Sequence, residues 1–175
     1  MKIKLFLATP LLILCACTAP DVSHYSAERP ELDLVKYFSG TTDAWGMFQK
    51  RSGEVVKRFH VVIDGHEVDG ALVLDEHFDY SDGTRQQRVW TLRRQPDGHW
   101  KGTAADVVGA ADGTVSGNAL HWGYVLRLPV DDKTYDVTFD DWMYLVDDTT
   151  MVNRARMSKF GVRLGEVTLL FRHRS

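Results

Sequence analysis

From Val55 onward the chain is written in a period of two. Apolar and polar residues alternate in runs of about ten, and turn residues interrupt the runs at short intervals. Val55–Ile63 and Ala71–Tyr80 are separated by Val68-Asp69-Gly70. Ser81-Asp82-Gly83 leads into Arg85–Arg94, and Pro96-Asp97-Gly98 leads into Trp100–Ala105. Asp112-Gly113 and Gly117-Asn118 bracket a short piece around Val115. The series ends with Ala119–Leu128, Thr134–Val146, Met151–Met157 and Arg163–Arg172. Asp-Gly and Gly-Asn pairs supply the positive φ that two-residue hairpin turns require, so sequential segments are expected to pair antiparallel. Leu120, Trp122, Tyr124, Leu126 and Leu128 share one face of their strand, as do Val167, Leu169 and Phe171 of the last one. This pattern predicts an all-β fold, an antiparallel barrel of about eight to ten strands, with a sandwich or an open curved sheet as the alternative. Helix is scarce; the best candidate is Glu31–Phe38, a turn or two before the first strand.

The N-terminus obeys a different logic. Lys2 and Lys4 precede an apolar stretch, Leu5–Leu14, that at about ten residues is too short to span a bilayer permanently and has the proportions of a secretory signal. It ends in Leu14-Cys15-Ala16-Cys17. A CxC metal or redox site needs further ligands, and the chain has no other cysteine. An ordinary signal peptidase site is one alternative, but the pattern fits a bacterial lipobox better. That motif wants a small residue immediately before the acceptor cysteine: Ala16 supplies it for Cys17, whereas bulky Leu14 precedes Cys15. Cys17 is therefore the expected acylation site, residues 1–16 the lipoprotein signal peptide, 17–31 a lipidated tether containing Pro20 and Pro30, and 32–175 a single domain. Stable attachment takes two or more acyl chains, which a triacylated cysteine provides. Thr18 stands where an Asp would retain the protein at the inner membrane, so the expected location is the bacterial outer membrane, with the body facing the periplasm.

Loss of Lys2 and Lys4 would shift the formal charge from −3 to −5. A mildly acidic body without a basic stripe argues against a nucleic-acid partner. With Cys15 discarded and Cys17 a thioether, the mature chain would hold no free thiol, and its core alone would have to stabilise it.

The stretch LDLVKYFSG…AWGMF resembles the opening of lipocalins, in which a short helix is followed by a Gly-x-Trp on the first strand that plugs the barrel base. Here Trp45 lies five residues after Gly40 rather than two. A second resemblance covers essentially the whole mature chain. AWGMFQKRSGEVVKRF, FDDWMYLVDD and NRARMSKFGVRLGEVTLLFR are similar to segments of the bacterial lipoprotein family known as domain of unknown function 3833. Together these resemblances imply a lipocalin-like barrel in an anchored envelope protein, with no activity attached.

Acids are disfavoured in mid-strand unless paired or solvated, which singles out Asp140-Asp141-Trp142. An even-membered loop over Asp147–Thr150 would set Asp141 opposite Arg156. Asp141, Arg156, Glu166 and Trp142 are then the candidate residues of a ligand cavity, holding a small hydrophobic or lipid-like molecule; a plain structural ion pair is the alternative reading. An enzyme of hydratase or isomerase type would draw its acid and base from Asp141, Glu166, His60 or His77. A third reading is a structural envelope protein that binds another protein. The seven histidines form neither HxH nor HExxH, so spacing indicates no metal and no cofactor. Of the tryptophans, most are expected in the core or the plug.

The lipobox register makes an asymmetric prediction. Cys17→Ser should abolish incorporation of a labelled fatty acid, whereas Cys15→Ala should be silent, because that residue is discarded. Label that persists on the first variant and vanishes from the second would show the register to be wrong.

Overall fold

The computed structural model describes residues 20–130 and 132–174. A single 3-10 turn, Val22–Tyr25, and a short helix, α1 (Leu34–Phe38), precede ten strands: β1 (Gly40–Lys50), β2 (Val55–Val68), β3 (Ala71–Tyr80), β4 (Arg85–Arg94), β5 (Trp100–Thr103), β6 (Ala111–Ser116), β7 (Ala119–Val130), β8 (Lys133–Leu145), β9 (Thr150–Lys159) and β10 (Val162–His173). Each pairs antiparallel with its sequence neighbour, and β1 pairs with β10 from Thr42↔His173 to Lys50↔Gly165, so the sheet closes into a barrel rather than a sandwich or an open sheet. Among the described residues no helix is long and apolar enough to cross a membrane.

The turn chemistry explains most of the hairpins. Asp69 and Gly70, with φ of 50° and 70°, join β2 to β3 as a type I′ turn. Phe160-Gly161 closes β9–β10 in the same way, and places a 94% exposed aromatic in a conformation that suits Asn far better. Asp112-Gly113, expected at a turn, lies inside β6. Gly113 is needed there for space, since a Cβ would sit 1.9 Å from the Trp122 ring.

One end of the barrel is shut by α1. Asp33 caps the helix by accepting from the Lys36 amide at 3.0 Å, and Leu34, Tyr37 and Phe38 are buried. Phe38 meets Phe171 edge-on at 6.1 Å, and the Tyr37 hydroxyl donates to the Thr149 carbonyl at 3.1 Å. Residues 20–31, expected as a tether, are packed along the barrel wall: Val22 is buried with Ala119 and Trp142, and the Leu32 amide donates to the Gly117 carbonyl at 2.8 Å. Trp45 is not the plug. It lies on the outer wall, half exposed and stacked on His60, while Thr42, two residues after Gly40, is fully buried.

The β8–β9 connection corrects the expected register. Leu145 pairs with Met151, leaving an odd number of residues between them, because Asp147 accepts from the amides of Thr149 (2.9 Å) and Thr150 (2.8 Å) and tightens the loop. Asp140, not Asp141, therefore faces Arg156, and Asp141 faces Ala155. The one-residue slip exchanges the β9 face that meets Asp141, so Asp141 points inward beside Ala155 while Arg156 is turned to the outer face.

Docking of α1 depends on Gly65, where a Cβ would lie 1.8 Å from the Phe38 carbonyl oxygen. This is a clash with backbone, which no rotamer change relieves. Gly65→Ala should cost about 1–3 kcal/mol, seen as a drop of roughly 2–4 °C in Tm for each kcal/mol. An unchanged thermal melt would mean that the helix does not bear on this strand.

Candidate functional site

The interior-facing positions of the strands surround a cavity of about 180 Å³. Its walls are mostly apolar: Phe59, Ile63 and Leu74 on one side, Trp90, Trp122 and Phe139 on the other. The stripes foreseen on β7 and β10 line it in full. Tyr80 and Gln86 line it beside the β3–β4 turn, at the end opposite α1.

Into this apolar space the strands carry a tier of polar side chains. On β3 the inward series Leu72, Leu74, Glu76, Phe78 places a carboxyl among hydrophobic neighbours, and on β4 the series Gln86, Arg88, Trp90, Leu92 does the same with a guanidinium. Glu76 and Arg88 are direct cross-strand partners. The Arg88 fork is turned mainly to Asp106, in the connection between β5 and β6: Nε donates to Oδ1 and Oδ2 at 3.1 and 3.0 Å, and Nη2 donates to Oδ2 at 2.7 Å. Its Nη1 is 3.7 Å from Glu76 Oε2, a charge contact longer than a hydrogen bond. The Asp106 carbonyl accepts from the Arg127 amide at 2.8 Å, which ties this connection to β7.

Across the cavity Asp141 is held by neutral donors. The Tyr124 hydroxyl donates to Oδ2 at 3.1 Å, and the Asn153 amide group donates to Oδ1 and also to the Trp142 carbonyl at 3.2 Å. Asp141 and Asn153 are almost wholly buried.

Burial dominates the proton equilibria of these groups. It pushes Glu76 up to about 7, against the pull of the neighbouring Arg88. It pushes Asp141 up to about 6, with the hydrogen bonds from Asn153 and Tyr124 pulling the other way. The Tyr124 hydroxyl is driven well above its ordinary value by burial and then by the adjacent Asp141. Burial opposes the charge on Arg88, but Glu76 and Asp106 more than offset it.

The sequence of the chain matches the family described as Protein of unknown function (DUF3833) over residues 11–173. The chain belongs to that family. No curated protein sequence matches it. Among solved structures, the barrel of this DUF3833 protein is similar to the S-type phycobiliprotein lyase CPES from Guillardia theta, with a TM-score of 0.59 at 8% identity over 89% of this chain and 99% of that one. It is also similar to a protein of unknown function from the DUF3598 family of Nostoc punctiforme, with a TM-score of 0.51 at 12% identity over 85% of this chain and 51% of that one. At such identities the likeness is one of fold.

Of the candidate cavity residues, the structure brings only Asp141 to the cavity. Trp142 faces outward, is covered by the 20–31 segment, and stacks on His121 with ring centroids 4.3 Å apart. Arg156 is exposed on the outer face. Glu166, opposite Arg156 in the sheet, also faces outward, where it accepts from Arg154 at 2.8 Å and Arg163 at 2.6 Å. The proposed acid–base set does not assemble either: His60 bonds Asp43 at 2.9 Å, and His77 pairs with Asp75 at 3.3 Å, both on the outer wall. Cys17 lies outside the described residues. Sequence reasoning missed Glu76, Arg88, Asp106, Tyr124 as a donor, and Asn153. The first two left a usable signal, since each is the single charge in its inward series, Leu72 to Phe78 on β3 and Gln86 to Leu92 on β4.

The raised Glu76 value fixes a sign. Between the ordinary glutamate pKa of 4.5 and about 7 the folded protein holds a proton that the unfolded chain has released. Stability contributed by protonated Glu76 is therefore full below that window and lost as pH rises through it. Glu76→Gln should be increasingly more stable than wild type from about pH 4.5 to 7 and level off above, by at most about 3 kcal/mol. Parallel thermal melts across this range check it; a constant difference would place Glu76 in water.

Proposed function

We propose that this protein is a bacterial envelope lipoprotein, anchored to the outer membrane through Cys17, whose barrel binds a small hydrophobic molecule in its interior. The observation that carries the binding reading is the cavity itself. Protein interiors pack to crystal-like density, and an unfilled void costs about 24 cal/mol per Å³. A cavity of about 180 Å³ is space that larger apolar side chains could have filled. Small side chains such as Ala155, on the cavity wall, keep it open where a larger residue would close it. An apolar void of about 150 Å³ suffices to hold benzene, so the enclosed part of the ligand is of ring size or a short alkyl chain. The anchoring reading rests on the Leu14-Cys15-Ala16-Cys17 pattern.

Ethylbenzene tests the cavity without charge. A saturating concentration should raise the Tm of the wild-type protein by mass action, and should change the emission of Trp90 and Trp122, which line the cavity. Ala155→Phe, which fills the void, should keep the near-ultraviolet dichroism of the fold and lose both responses. A wild type indifferent to ethylbenzene, or a variant that responds equally, would refute interior binding.

A further inference from the structure

The charge balance inside the cavity narrows the ligand further, taking interior binding as given. Two carboxyl groups, Glu76 and Asp141, line the cavity with one guanidinium, Arg88, and a third carboxyl, Asp106, binds that guanidinium from outside the lining. That guanidinium is already engaged, since two of its nitrogens are committed to Asp106. Asp141 has its two oxygens occupied by Tyr124 and Asn153, both neutral. Glu76 is different. It lines the cavity, and its one polar contact among the described residues is the 3.7 Å approach of Arg88. Its oxygens have no hydrogen-bond partner among the described residues, at the wall of a cavity that is mostly apolar. The flanking strand β2 offers Phe59, Val61 and Ile63 there and no further charge.

We propose that the cavity selects a small hydrophobic amine, whose ammonium group is received by the Glu76 carboxylate with Asp141 opposite, over a carboxylic acid of the same size. A carboxylate ligand would add a fourth acid to a low-dielectric site whose single cation is spent, and like charges at short range in such a site repel strongly. An ammonium instead gives Glu76 the hydrogen bonds it lacks and compensates the excess of acid. An acyl chain ending in a free carboxylate is thus a poor occupant, although an aromatic or alkyl body of similar size is a good one. Protonation follows the same logic: as pH falls through about 7 and then about 6, Glu76 and Asp141 become neutral in turn and the attraction for a cation fades. Arg88 and Tyr124 do not titrate in that range, and an alkyl ammonium, like a lysine, stays charged throughout.

Three probes of one shape decide the matter: phenethylamine, 3-phenylpropionate and ethylbenzene, titrated calorimetrically into the full chain in phosphatidylcholine nanodiscs, with empty discs as reference. At about pH 8 phenethylamine should bind at least roughly tenfold tighter than 3-phenylpropionate. The preference should shrink several-fold by about pH 5.5, while ethylbenzene binding stays level. Glu76→Gln should abolish most of the preference, with a near-ultraviolet dichroism like that of the wild type showing that the variant is folded; Asp141→Asn should weaken it in part. Equal or tighter binding of 3-phenylpropionate, or a preference that survives Glu76→Gln, overturns the proposal while leaving interior binding in place. Failure of all three probes to bind the wild type overturns both.

Discussion

Closure of β1 onto β10 is the constraint on which the rest of the molecule depends. An antiparallel sheet of ten strands has two exposed edges until the first strand pairs with the last, from Thr42↔His173 to Lys50↔Gly165. Once the ladder is closed, every second side chain on every strand is committed to the inside. The interior then has a size set by strand number. Eight strands enclose a space that side chains just fill; ten enclose more, and the surplus must be plugged, filled or left open. This protein does all three. Leu34 and Phe38 of α1 plug one end, large aromatics such as Trp90 and Trp122 fill the sides, and the remainder is the cavity. Rim irregularities fit the same geometry: the register shifts at Phe48/Gln49 and at Arg163/Gly165 are neighbours across β1 and β10 at the end away from α1, where bulges bend strands.

The polar tier gives that surplus space a chemical character. A buried ion pair is weak evidence of stabilisation, because desolvation consumes much of the attraction, and apolar residues of similar volume often do as well or better. The Glu76–Arg88–Asp106 group is less favourable still, since it holds two acids to one base and leaves Glu76 without a hydrogen bond. Packing alone would replace it with leucine and valine. Among the described residues Glu76, Arg88 and Asp141 are the charged side chains that line the cavity, so the cost and the cavity coincide. Sites that recognise a molecule combine these two properties, because each is a loss that a bound partner reverses.

Much of the fold was legible because hairpin turns and period-two runs are local signals. Asp69-Gly70 and Gly117-Asn118 mark their turns by φ alone, and the β7 and β10 stripes needed only counting by two. The site was less legible, for three separate physical reasons. Which β9 residues share the inward face with Asp141 depends on whether the β8–β9 loop is odd or even, and Asp147 decides this through hydrogen bonds from Thr149 and Thr150 that residue type does not announce. Trp142 reads as interior by hydrophobicity, yet its partner is Val22, more than a hundred residues earlier, lying on the outer wall. Glu76 and Arg88 were visible as charges in an apolar phase, but only the cross-strand pairing across the Ser81–Thr84 turn sets them face to face.

The segment that covers Trp142 also changes what an acyl anchor at Cys17 would mean for the barrel. A tether running from 17 to 31 would let the body wander several tens of ångströms from the bilayer. Instead Val22 is buried, Tyr25 packs against Trp142 and Tyr144, and Leu32 bonds Gly117, so the chain is fixed to the wall from the 3-10 turn onward. Cys17 stands three positions before Pro20, a reach of about 10 Å even when fully extended. An anchored barrel of this kind would rest against the membrane surface by its β6–β7 flank. Hydrophobic amines concentrate at such a surface, since their apolar part partitions into lipid while the ammonium remains at the headgroups. Proximity to the bilayer and an acid-rich apolar cavity would then serve the same class of molecule, the first by supplying it and the second by holding it.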